Sequence, residues 1–274
     1  SQSGIITDEA HADARVVEVR PARLQAVLAE GKVAIVAGFQ GVSRAREVTT
    51  LGRGGSDTTA VVLAAALGAA WCEICSDVDG VWSADPRTVG SAEKLDALTH
   101  GEALALARGG AKVLYEDAVR YARDHGVVIT ASATFGPGSG SRIGAETRAV
   151  RVAVAGDAQL RRVVLGDTGL EADLAAIGAA GGRVRRVVGA RLYVDVRNAH
   201  GGLAGLATAR DEGPTAMVTA VGSALGEQPG RVLAASRAIG GLAVRASGSE
   251  GDVAWWEVDP ADLAEATRRV HAAF

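Results

Sequence analysis

Leu51-Gly52-Arg53-Gly54-Gly55-Ser56-Asp57-Thr58-Thr59 sets one cation between two glycine turns and follows it with four polar side chains. An unbroken apolar run, residues 60–67, comes next. Gly54 and Gly55 let the main chain approach a ligand closely. Ser56 or Asp57 is placed to cap a helix running from Thr58 to Gly68. A helix N-terminus offers free N–H groups that stabilise an anion. Arg53 adds a fork of donors suited to a carboxylate or a phosphate.

Outward from that stretch, strands and helices alternate. Residues 14–19 have the period of a strand, and residues 21–30 have helical spacing stopped by Gly31. The compact apolar run 32–38 suits a buried parallel strand. Downstream follow a strand at 71–76, a turn at Val78-Asp79-Gly80, helices at 99–108 and 113–124, a strand at 126–131 and a glycine-rich turn at 136–141. This order predicts a layered α/β domain with a mainly parallel sheet, whose ligands collect at the carboxyl ends of the strands.

Composition narrows the function classes. With 48% hydrophobic and 22% charged residues over 274 positions, the chain is an ordinary globular one rather than a disordered one. A net charge of −3 favours neither nucleic acid nor an anionic membrane. No apolar stretch is long and charge-free enough to span a bilayer and no cleavable leader is evident, so the expected location is cytoplasmic. Cys72 and Cys75 form a C-x-x-C pair within an expected strand, where positions three apart face opposite ways. No second Cys/His pair completes a zinc site, so both are assigned to packing. The five histidines (11, 100, 125, 200, 271) lie scattered without ligand spacing and are assigned structural or exposed roles.

Beyond about Arg148 the pattern changes. Residues 169–184 and 230–244, about 60 positions apart, each show a glycine-led, alanine-rich helix, a Gly-Gly pair and a Val/Arg-rich strand. Strands are expected around them at 150–155, 161–165, 192–196, 217–221 and 253–258, with a final helix over 260–274. That pattern suits two ferredoxin-like units.

Four blocks, in order, carry a family resemblance: Val36-Ala37-Gly38-Phe39-Gln40-Gly41, the Gly-Arg-Gly-Gly-Ser-Asp stretch, Ser76-Asp77-Val78-Asp79-Gly80-Val81-Trp82-Ser83-Ala84-Asp85-Pro86-Arg87, and Gly110-Ala111-Lys112-Val113-Leu114. Together they resemble the aspartate kinases of the amino-acid-kinase superfamily. The second half is similar to the tandem ACT modules of those enzymes. The resemblance implies residues 1–148 as the C-terminal part of the catalytic domain and 149–274 as the ACT pair, with a homo-oligomer formed through the ACT modules. It implies transfer of the ATP γ-phosphoryl group to the β-carboxylate of L-aspartate, the first step towards lysine, threonine and methionine. Phosphoryl transfer of this kind works mainly by positioning and charge neutralisation, and the implied cofactors are ATP and Mg²⁺.

By the same resemblance, Arg53 pairs with the substrate α-carboxylate, Phe39 and Ser56 line its pocket, and Asp57 faces the amino group. Ser76 and Asp77 lie beneath the nucleotide, Trp82 stands where the family has Tyr, and Arg87 and Lys112 are phosphate-side cations. Asp57 and Lys112 take the catalytic roles. Asp167, in a turn that loosely matches the family's Asp-x-Pro-Gly, marks an effector site for lysine or threonine.

The departures are specific. The family's opening strand and its Lys-Phe-Gly-Gly loop, whose lysine holds the transferring phosphoryl group, have no counterpart, and Ser1 resembles a point well inside the catalytic domain. Leu114-Tyr115-Glu116-Asp117 replaces Leu-His-Pro-Arg, and Ser132-Ala133-Thr134-Phe135 lacks the arginine of Arg-Ser-Thr-Phe. The alternative reading is a non-catalytic regulatory or scaffold paralogue that binds an amino acid or a partner subunit. Another carboxylate or carbamate kinase of the superfamily fits the blocks less well.

Overall fold

A computed structural model describes residues 3–135, 138–145, 151–199 and 201–274. The chain divides into two compact units: residues 1–82, 93–107 and 112–150, and residues 83–92, 108–111 and 151–274. The expected boundary at 148/149, Gly136 and Pro137 of the glycine-rich turn, Val150 and His200 lie outside the described residues.

The first unit contains β1 (Ile5–Thr7), β2 (Val16–Val19), α1 (Ala22–Ala29), β3 (Gln40–Ser43), β4 (Val48–Thr50), α2 (Gly55–Leu67), β5 (Cys72–Ser76), β6 (Val81–Trp82), β7 (Lys94–Leu95), β8 (Ala97–Thr99), α3 (His100–Arg108), α4 (Glu116–His125), β9 (Ile129–Ala133) and β10 (Ser141–Gly144). One sheet has the order β2-β1-β3-β4, the other β5-β9-β10-β8, and β6 and β7 form a short ribbon. Parallel pairs are β1 with β3, β5 with β9 and β8 with β10. Ile5, Leu24, Val62 and Leu63 form a buried cluster joining the first sheet to α1 and α2.

Four expectations change here. Residues 32–38 form no strand, and the strand begins at Gln40. Ala34 and Val36 pack inward on that cluster, while Val33 and Ile35 are 89% and 98% exposed. Apolar composition alone read as two-sided burial, whereas only alternate residues find a neighbour. Helix α2 starts at Gly55, so its N-cap is Gly54 in the left-handed region and neither Ser56 nor Asp57 caps it; both lie in its first turn. Helix α4 starts at Glu116 rather than at Val113. The cysteines do face opposite ways: Cys72 is buried and Cys75 is exposed, so only the first is a packing residue.

The second unit contains β11 (Ala153–Val164), α5 (Leu170–Ala179), β12 (Arg183–Val188), β13 (Arg191–Asp195), β14 (Arg210–Val221), α6 (Pro229–Ala238), β15 (Ala246–Glu250), β16 (Val253–Val258) and α7 (Leu263–Ala272). Its six strands form one antiparallel sheet in the order β12-β13-β11-β14-β16-β15. The two strands expected at 150–155 and 161–165 are one strand, β11, with a register shift between Asp157 and Leu160. The polar step that looks like a turn is a bulge, in which the Gln159 N–H donates to Asp157 Oδ1 at 2.9 Å. The strand expected to end at 244 begins at Ala246 instead. Each half has its own core: Val163, Ile177, Leu192 and Val194 under α5, and Val218, Ile239, Trp256 and Val270 under α6 and α7. Between the halves, Glu257 is 1% exposed and accepts from Arg162 (2.9 Å), Thr215 (2.8 Å) and Tyr193 (2.8 Å).

Candidate active site

The glycine turn is held by packing on both sides. Gly54 has φ 73°, and a Cβ there would fall inside the Tyr115 ring, so only glycine suits the position. A Cβ at Gly55 would lie 2.8 Å from the Phe39 ring and 2.9 Å from Leu51. Phe39 itself takes φ 70°, a left-handed conformation that costs a non-glycine residue on the order of 1 kcal/mol. Two hydrogen bonds hold it: its N–H donates to Thr59 Oγ1 at 3.0 Å and its carbonyl accepts from Leu51 N–H at 3.0 Å. Thr59 Oγ1 in turn donates to Gly55 O at 2.7 Å. Phe39 and Ser56 are thus brought to one place, with Arg53 exposed in the turn between them.

Asp57 is half-buried in the first turn of α2. Burial pushes its carboxyl above the usual range, and a hydrogen bond from Ser56 Oγ (3.3 Å) opposes that in part. Burial, with the Asp57 charge adding to it, lifts the Cys72 thiol to about 11.

The other expected residues follow strand ends. Ser76 closes β5, where its carbonyl accepts from Thr134 N–H (2.8 Å) and Oγ1 (3.0 Å) and its Oγ accepts from Val78 N–H (3.2 Å). Asp77 is exposed beside it. The Trp82 indole N–H donates to Asp79 Oδ1 at 2.9 Å, and Lys94 Nζ lies 3.7 Å from Asp79 Oδ2. Asp79 therefore fixes both a ring and a cation. Lys112 is exposed, three positions before Tyr115. Arg87 belongs to the second unit and is held by Asp85 in a fork, Nε to Oδ1 and Nη2 to Oδ2, each at 3.0 Å. Asp167 is exposed in the loop before α5. Tyr115, Thr59 and Lys94 were missed as site residues, since their packing against the turn and their partner Asp79 are set by tertiary structure.

The model of the amino acid kinase family matches residues 1–131. That segment is therefore similar to the amino acid kinase family. Over 130 residues the chain is 58% identical to an aspartokinase of Mycobacterium bovis, a match that takes in 47% of this chain and 31% of that protein. An aspartokinase of Corynebacterium efficiens is 54% identical over 144 residues, 52% of this chain and 34% of the relative. These matches therefore span about a third of the length of the curated relatives. A crystal structure of Escherichia coli aspartokinase III with aspartate and ADP superimposes with a TM-score of 0.84 at 23% identity, covering 100% of this chain and 68% of that one. The amino-acid-kinase segment and the ferredoxin-like modules after it thus share the aspartokinase fold.

Proposed function

We propose that this chain carries the acceptor and nucleotide half-sites of an aspartate kinase. Its substrate is L-aspartate, and its reaction gives 4-phospho-L-aspartate. One observation carries this reading: Arg53 and the half-buried Asp57 present opposite charges within a single turn at the start of α2. An amino acid has that same pair of charges. Arg53 takes the α-carboxylate, Asp57 the α-amine, and Phe39 and Ser56 close the pocket. A β-carboxylate oxygen then attacks the γ-phosphorus, and the bond to the bridging oxygen breaks as ADP leaves. Lys112 offsets the charge on the phosphates, while Ser76, Asp77 and Trp82 hold the nucleoside. The aspartate and ADP bound in the aspartokinase III structure support both half-sites.

Among the described residues no three or more His, Cys, Asp or Glu side chains gather where they could hold a metal ion. A Mg²⁺ is assigned to the phosphates of ATP itself. Residues 1–148 are assigned to the catalytic domain and 149–274 to the ACT pair, through which the chain forms a homo-oligomer. Asp167 is assigned to an effector site for lysine or threonine. The lysine and aspartate bound in a second aspartokinase III structure support an amino-acid effector.

Calorimetric titration tests the half-sites. Arg53→Ala is expected to weaken L-aspartate about 10- to 100-fold, and Lys112→Ala to weaken ATP–Mg²⁺ by a similar factor. Failure of both ligands to bind the folded wild-type chain would reject the catalytic reading in favour of a regulatory one.

A further inference from the structure

One face of the β2-β1-β3-β4 sheet carries a hollow of about 1120 Å³, apart from every residue assigned to the kinase reaction. The opposite face is covered, with Ile5, Thr7 and Thr49 all fully or nearly fully buried. The strand period of two therefore turns Ile6, Val42 and Val48 to the hollow as an apolar floor. Around that floor stand Arg20, Arg23, Arg44 and Arg46, four guanidinium groups against the single carboxylate of Glu18.

Arg20 is already engaged, since its Nε and Nη2 donate to Glu18 at 2.7 and 3.0 Å. That fork, with Arg44 adding a through-space attraction, holds the Glu18 carboxyl below its usual range. Among the described residues, Arg23, Arg44 and Arg46 make no side-chain hydrogen bond or ion pair at contact distance. The chain as a whole is acidic, at −3, so this concentration of cations is not a by-product of a basic surface. Like charges gathered round one hollow repel each other, and an anion placed among them removes that repulsion. Arginine is also the side chain whose fork matches phosphate and carboxylate oxygens in pairs.

We propose that this hollow binds a small organic anion bearing two or more phosphate or carboxylate groups. Its charged groups pair with Arg23, Arg44 and Arg46, and its apolar body lies on Ile6, Val42 and Val48. The site is separate in its residues from the proposed acceptor and nucleotide half-sites, so either assignment can fail without the other.

Calorimetric titration of the 274-residue chain with inorganic pyrophosphate, and separately with citrate, tests it. The expected result is one equivalent of at least one probe, bound at least tenfold more weakly by R44A/R46A and unchanged in K112A, with affinity falling as salt rises. Arg46 sits at φ 66°, which glycine adopts without strain. R44A/R46G therefore removes both charges with the turn intact, and should fold as the wild type does by circular dichroism. Absence of binding by both probes at millimolar concentration would overturn the proposal. So would undiminished affinity in both double variants, or loss of binding in K112A with retention in R44A/R46A.

Discussion

Asp57 joins a structural cost to a proposed substrate contact. Because burial raises its carboxyl, the folded chain disfavours the ionised form that an amine-binding role requires. An acid raised in the folded state destabilises the fold above its folded pKa and has no effect where both states are protonated. Asp57→Asn is therefore expected to raise the urea midpoint at pH 7, with the gain fading as pH falls towards 3. The same variant should weaken L-aspartate binding. Equal midpoints at pH 7 would show that Asp57 carries no such cost. The polar stretch that holds Asp57 was legible because nothing in packing calls for Arg53, Ser56 and Asp57 together. The cap was not legible, since the left-handed Gly54 that replaces it depends on the Tyr115 ring, some sixty positions on in sequence.

Helix α5 is fixed by one buried charge. Asp173 is fully buried, and its carboxylate accepts from the backbone N–H groups of Ala207 (2.5 Å), Thr208 (3.1 Å) and Ala209 (3.0 Å) and from Thr208 Oγ1 (2.9 Å). Burial alone would raise its carboxyl, but these donors outweigh burial and hold it below the usual range. A lowered acid stabilises the fold above its unfolded pKa, and that contribution is lost as pH falls through the folded value. Asp173→Asn should therefore unfold at lower urea than the wild type at pH 7, and the difference should shrink in acid. A constant difference across pH would assign the effect to shape rather than charge. At this scale, α5, β12 and α6 were legible from glycine stops and apolar spacing, whereas the strand after α6 was expected too early and begins at Ala246. The run 32–38 was misread because strand formation needs a paired neighbour, and no strand of the described residues pairs with it. The bulge in β11 was misread because Asp157 bonds locally as it would in a turn.

Each of the two units has a buried core of its own, and this has a consequence for unfolding. Units with separate cores need not unfold in one cooperative step. Reporters are already in place. Trp256 is 1% exposed within the second unit's core and Trp255 5%, whereas Trp71 in the first unit is 59% exposed. Trp82 of the first unit is half-buried, so the most blue-shifted part of the tryptophan emission, from Trp255 and Trp256, follows the second unit. Cys72 is buried in β5 of the first unit, and its thiol, raised to about 11, stays protonated and slow to react until that sheet opens. Val270 is fully buried in the same cluster as Trp256, and Val270→Ala should cost about 2 kcal/mol there through lost burial and the cavity left behind. The expected outcome is a lower denaturant midpoint for tryptophan emission, with the midpoint for Cys72 labelling unchanged. If both midpoints move together, the chain unfolds as one cooperative body and the two cores are thermodynamically a single one.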